Sequence, residues 1–148
     1  MHRATALIAA FATFIAAPAI AATEQAQPDG ATVTFELNVG ATTGKVMIVL
    51  FDSEAAYDAG RAPVRAAQVD IAAGERAAVF EGLPAGDYAA KSFHDVDGDG
   101  EMDTNPFGMP TEPYAFSNNA VGNMGPAGWD RAHFTVSGPV TQTLNLSR

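Results

Sequence analysis

The chain has 148 residues, 17 of them acidic against 8 Lys and Arg, and no cysteine. That length suits one ordinary domain behind a short leader, and the lack of cysteine excludes disulfide staples, zinc–thiolate sites and a lipid-modified cysteine. A formal net charge of −9 repels nucleic acid and anionic lipid and favours cations and basic partners.

Met1-His2-Arg3 supplies a basic start, Ala4 to Ala17 an apolar run, and Ala19-Ile20-Ala21 the small residues that signal peptidase needs. Residues 1–21 are therefore expected to be a signal peptide, cut after Ala21 or Ala22, with the mature protein periplasmic or secreted. The run is rich in alanine, broken by Thr5, Thr13 and Pro18, and lacks a basic stop-transfer flank. It is a poor membrane span, so no membrane insertion is expected after cleavage. Residues 22–30 are polar, end in the turn Pro28-Asp29-Gly30 and read as a flexible leader. Residues 31–148 are expected to form a single domain.

Val33, Phe35, Leu37 and Val39 alternate with Thr32, Thr34, Glu36 and Asn38, which predicts a half-buried strand. After a turn at Gly40 to Gly44, Lys45 to Phe51 is a nearly continuous apolar run, as in a strand covered on both faces. The two strands are expected to form a hairpin. Asp52 to Pro63 reads as a loop with one helical turn over Ser53 to Tyr57, capped by Ser53. Val64 to Ile71 and Arg76 to Phe80, divided by Gly74, predict a second hairpin, although their alanine content leaves helix open. The tight turn Leu83-Pro84-Ala85-Gly86-Asp87-Tyr88 leads into a strand over Asp87 to Phe93. Tyr88 is placed to fold its hydroxyl back on that turn.

Thr104 to Asp130 has no clear period. A loop that long is functional or disordered, and Phe107, Met109, Tyr114, Phe116 and Trp129 argue for order, since so much apolar surface draws a segment onto the body. Two last strands follow, Ala132 to Val136 with Phe134 and Val136 inward, and Val140 to Leu146 with Leu144 and Leu146 inward. The prediction is an all-β fold, an antiparallel seven-stranded immunoglobulin-like or transthyretin-like sandwich with one long ordered loop.

The segment Asp95-Val96-Asp97-Gly98-Asp99-Gly100-Glu101-Met102-Asp103 repeats oxygen-bearing residues at every second position, as a loop does when it wraps a hard cation. Asp95, Asp97 and Asp99 fall at positions one, three and five. Gly100 allows the sharp turn at six, Glu101 offers its carbonyl at seven, and Asp103 acts at nine, directly or through water. Position twelve is Pro106, where the helix-loop-helix calcium motif carries a bidentate glutamate, and no helix flanks the segment. The site is therefore expected to be a strand-loop variant closed from elsewhere, with Glu112, the nearest acid downstream, as the closing ligand. An all-oxygen ligand set favours calcium over zinc. The competing reading is an Asp-Gly turn whose carboxylates bond only local backbone N–H groups.

His94-Asp95, Asp97, Asp99-Gly100, Asp103-Thr104-Asn105, Phe107-Gly108, Pro110, Glu112-Pro113-Tyr114 and Phe116-Ser117-Asn118-Asn119 together carry a resemblance. With the turn Leu83 to Tyr88, they resemble a family of small exported bacterial proteins known as domain of unknown function 2141. Members of that family often have asparagine where Asp97 and Asp99 stand, and glycine where Ala115 stands; neither change upsets an oxygen-ligand site. The family has no established activity. The resemblance implies export, and implies that the acidic loop and the aromatic segment after it act as one unit.

The residues suit two functions. The first is a calcium-stabilised binding or structural module of the cell envelope, with His94, Phe107, Tyr114, Phe116, Asn118 and Asn119 as a surface for a carbohydrate or protein partner. The plainer alternative is that these aromatics cover the core and the amides satisfy the loop's own backbone. The second is a metal-dependent hydrolase using His94, Glu112 and His133 with the acidic loop. His133 has the opposite parity to Phe134 and Val136 and is expected to face outward. No His-Glu-His spacing, nucleophile motif or phosphate-cradling loop accompanies these residues, which weighs against catalysis.

Overall fold

The alternating pattern after Gly30 becomes β1 (Ala31–Asn38), with Val33, Phe35 and Leu37 buried and the residues between them turned outward. The protein is described by a computed structural model over residues 30–148. The expected signal peptide, and the expected leader up to residue 29, lie outside the described residues. After β1 come β2 (Lys45–Phe51), α1 (Glu54–Ala59), β3 (Arg65–Asp70), β4 (Ala77–Leu83) and β5 (Gly86–Asp95). Then follow β6 (Tyr114–Phe116), a single 3-10 turn at Ser117–Asn119, α2 (Trp129–Ala132), β7 (Phe134–Val136) and β8 (Val140–Asn145). Among the described residues no helix is long and apolar enough to cross a membrane.

The strands form two sheets, one ordered β4-β1-β8 and the other β3-β2-β5-β6, with β7 pairing the first residues of β5. This is a mostly β, two-sheet molecule with eight strands rather than the expected seven. The extra strand is β6, inside the segment expected to be a loop. The β4-β1-β8 sheet is also mixed rather than antiparallel, because β1 runs parallel to β8 from Val33↔Val140 to Asn38↔Asn145. The strand order does not establish an immunoglobulin-like or transthyretin-like topology.

Neither expected hairpin forms. β1 pairs with β4 and β8, while β2 pairs with β3 and β5, so the chain crosses between layers at residues 39–44. β3 and β4 likewise sit in different sheets. The reason is the apolar faces: β1 and β2 bury Val33, Phe35, Val46, Ile48 and Leu50 in one core cluster by lying in opposite layers. Each such side chain contributes about 1.5–3 kcal/mol on full burial.

The outer face of β2 is covered as well, which is why its sequence reads as apolar on both sides. Phe51 joins Tyr57 of α1, Ala89, Phe116, Ala127 and Ala132 of α2 in a second buried cluster. Tyr57 donates its hydroxyl to the Ala127 carbonyl at 2.9 Å. Lys91 donates to the Tyr57 carbonyl at 2.6 Å, its amine 4.3 Å from the Tyr57 ring centroid. The helical turn expected after Ser53 is α1, but the Ser53 side chain makes no capping bond, and the helix ends instead on Gly60 in the left-handed region (φ 61°). The Tyr88 hydroxyl folds back to the Pro84 carbonyl at 2.8 Å, as expected.

Candidate metal centre and the loop that carries it

β5 delivers the acidic loop. Residues on an extended strand alternate faces, so Tyr88, Ala90, Ser92 and His94 point between the sheets while Lys91, Phe93 and Asp95 point outward, Asp95 opposite Lys45 of β2. Gly44, in the left-handed region at φ 74°, lies so close to this strand end that a side chain there would collide with the Asp95 carbonyl. The crossing of residues 39–44 is thereby pressed against the start of the loop.

Beyond Asp95 the chain folds back on its own carboxylates. Asp95 accepts from the Gly98 N–H at 2.7 Å and the Gly100 N–H at 3.0 Å, one on each oxygen. Gly98 and Gly100 adopt φ of 84° and 86°, a region open to glycine without steric cost. Asp97 Oδ1 accepts from the Asp99 N–H at 3.3 Å, and Asp99 Oδ1 from the Glu101 N–H at 2.8 Å. Glu112 grips both ends of the loop: Oε1 accepts from the Val96 N–H at 2.8 Å and Oε2 from the Asp103 N–H at 3.3 Å. Backbone bonds from Thr111 to the Asp103 carbonyl and from His94 to the Pro113 carbonyl, both 2.8 Å, bring Glu112 to that place.

Two groups of carboxylate oxygens converge. Those of Asp95, Asp97 and Asp99 lie within 4.8 Å of one another, as do those of Asp97, Asp103 and Glu112. Asp97 is common to both. Asp95 and Glu112 are buried and the other three exposed. Glu101 belongs to neither group. The N–H bonds to Asp97 and Asp99 fall on Oδ1 of each, and a carboxylate has about four acceptor positions. Local backbone bonding and a cation are therefore compatible. Beside the loop, a shallow groove of about 300 Å³ is lined by Lys45, Met47, Gln68, Asp70, Asp95 and Asp99 among others, with Lys45 facing both Asp70 and Asp95 across the ladder.

The remaining candidate residues separate. His94 is fully buried and does not belong to any surface. Its Nε2 lies 2.6 Å from the Thr43 carbonyl; a carbonyl only accepts, so Nε2 carries the proton. Its Nδ1 has no partner among the described residues. His133 is half-buried rather than outward, stacked on Trp129 at 5.6 Å with Nδ1 2.9 Å from the Trp129 carbonyl. It adjoins Phe134, which pairs with Tyr88, six positions along β5 from His94. At about 3.3 Å per residue that is about 20 Å. His94, Glu112 and His133 therefore do not assemble into one hydrolytic centre.

Of the expected binding surface, Phe116 is buried and Tyr114 half-buried, the two rings packed edge to face at 5.7 Å. The Asn118 amide donates to the Arg131 and His133 carbonyls at 3.2 and 2.8 Å. The Asn119 amide spans the β8 edge, donating to the Thr143 carbonyl at 2.7 Å and accepting from the Asn145 N–H at 2.8 Å. Both asparagines hold left-handed backbone, at φ 60° and 49°. Their amides are staples, but to the backbone at the end of α2 and along β8 rather than to the loop's own backbone, as the plainer alternative had it. Phe107 is the one ring of the set that stands clear, 89% exposed, while Asn118 and Asn119 are exposed with their amides engaged. Thr43, Gly44, Lys45 and Asn105 are parts of this end of the molecule that sequence reasoning missed. Asn105-Pro106 followed by Gly108 was the one readable signal, a turn.

The fold and the loop define a small two-sheet protein with an acid-lined strand-end loop. A family model described as an uncharacterized protein conserved in bacteria (DUF2141) matches residues 33–143, and the chain belongs to that family. No curated protein and no solved structure matches it.

Proposed function

We propose that this chain is an exported binding module of the cell envelope whose long loop, residues 95–112, is clamped by calcium. The observation that supports this is the convergence of two carboxylate groups that share Asp97, one with Asp95 and Asp99 and the other with Asp103 and the buried Glu112 from the far end of the loop. Two unit charges about 4–5 Å apart at an effective dielectric of 20 repel by about 3–4 kcal/mol, and a divalent cation held at Asp97 by either group offsets that repulsion. Oxygen-only ligands of flexible number suit calcium. Export rests on the basic, apolar and small-residue order of residues 1–21; the purified mature protein should begin at Ala22 or Thr23 on N-terminal sequencing.

Extracellular calcium modules have Kd on the order of 0.1–1 mM. At ten times Kd the folded state gains about 1.4 kcal/mol, a rise in melting temperature of about 4–8 °C. We expect that rise in 10 mM calcium (about ten times Kd), its reversal by chelator, and Tyr114-sensitised terbium luminescence. Asp97→Ala should abolish all three while leaving the calcium-free melting temperature near that of the parent. Identical melting in calcium and in chelator, with no terbium signal, would remove the calcium clamp.

A further inference from the structure

The acidic loop runs directly into a small closed turn that the clamp does not explain. Thr104 and Pro110 form an antiparallel bridge, and between them the Asn105 N–H donates to the Met109 carbonyl at 2.9 Å and the Gly108 N–H to the Asn105 carbonyl at 2.8 Å. The Asn105 side-chain oxygen accepts from the Phe107 and Met109 N–H groups, at 2.9 and 3.1 Å. Four bonds thus fix five residues, with Gly108 at φ 78°. This ordered turn holds Phe107 89% and Met109 63% exposed. With the backbone beneath them already fixed, this aromatic and thioether give up only side-chain rotamer freedom on docking, which suits an anchor.

Charge decides what the anchor meets. From Ser92 to Asp130 there is no Lys or Arg, whereas Asp95, Asp97, Asp99, Glu101, Asp103 and Glu112 precede or adjoin the turn. One divalent cation on those six carboxylates still leaves four negative charges. An anionic bilayer is therefore repelled with or without calcium, and a second copy of a chain at −9 is repelled too. A convex tip takes a concave partner. We infer that the Thr104–Pro110 turn is a docking knob for a protein with an apolar cleft that receives Phe107 and Met109 and is rimmed by Lys and Arg facing Asp97, Asp99, Glu101 and Asp103.

This deepens the binding-module reading but not its calcium: a protein that ignores calcium can still dock through the knob, and a calcium-clamped protein can fail to dock. The test places a photo-reactive benzoylphenylalanine at position 107 of the full chain in its native host, with Asn123 as the control position. The expected result is an adduct to one protein, mapped to an apolar cleft bordered by Lys or Arg. With both proteins purified, Phe107→Ser should raise Kd about tenfold or more at unchanged melting temperature. Kd should also rise as salt goes from about 50 to about 300 mM. The inference is overturned by adducts to lipid or to a second copy, by adducts no stronger than at Asn123, or by a purified pair whose Kd ignores Phe107→Ser.

Discussion

At the scale of single residues, Ser117 joins three pieces of chain. Its hydroxyl oxygen accepts the Ala90 N–H of β5 at 2.8 Å and its proton goes to the Ala132 carbonyl of α2 at 2.6 Å, all three residues being buried. Ser117→Ala leaves a buried donor and a buried acceptor without partners, each costing about 1–3 kcal/mol. We expect a loss of about 2–4 kcal/mol in urea unfolding, with the calcium response unchanged. Nothing in the local sequence marks this serine, because its two partners lie far along the chain. His94 teaches the same lesson in reverse. Its place beside the acids suggested a surface ligand, yet strand alternation turns it to the opposite face from Asp95 and into the core.

At the scale of elements, the segment between β5 and β6 is ordered by bonds rather than by a core. Its acidic half wraps on Asp95, its apolar half closes on Asn105, and Glu112 ties the acidic half to the body. Glu112→Ala removes the acceptor for two N–H groups near the two ends of the acidic loop. Amide hydrogen exchange at Val96 and Asp103 should accelerate about tenfold or more, for a local loss of about 1.4 kcal/mol or above. Exchange of the Phe35 and Ile48 amides in the sheets should not change. Equal acceleration throughout would show that Glu112 supports the whole fold rather than the loop. Glu112 was readable as the nearest downstream acid. Its grip on the backbone was not, since that depends on how β6 returns beside β5.

For the whole molecule, the outer cluster of Tyr57, Lys91, Phe51 and the two short helices is expected to set the alkaline limit. Burial pushes the Tyr57 phenol well above its ordinary value near 10, helped by the carboxylate of Asp58. Burial pulls the Lys91 amine below its ordinary 10.5, partly opposed by Asp58. Below 10.5 but above the folded value of Lys91, the unfolded chain holds more protons, so Lys91 makes stability rise with pH. Past about 10 the unfolded chain loses the tyrosine protons that the folded chain keeps, so Tyr57 makes stability fall. Tyr88 adds to that fall, raised by burial and Asp52 against a lowering by Arg65. The gain from Lys91 ends at 10.5 and the loss continues. Denaturant unfolding between about pH 9 and pH 11.5 should therefore show stability falling above about pH 10.5, with a shallower fall in Tyr57→Phe. An unchanged slope in that variant would locate the alkaline limit elsewhere.

The acidic loop marks the boundary between what this sequence determines alone and what tertiary structure decides. Faces are local: alternation along β1 and β8 follows from the geometry of a strand, so Val33, Phe35, Leu37, Leu144 and Leu146 were legible as inward. Turn chemistry is local too, which is why the fold-back of Tyr88 onto Pro84 and the spacing of Asp95, Asp97, Asp99 and Asp103 were legible. Strand neighbours are not local. Backbone N–H and C=O groups are the same in every residue, so the pairing of β1 with β4 and β8 rather than β2 is chosen by how the apolar faces stack. The same holds for the closing of the loop: residues 95–103 specify a set of oxygens, and only the return of the chain through β6 puts Glu112 among them.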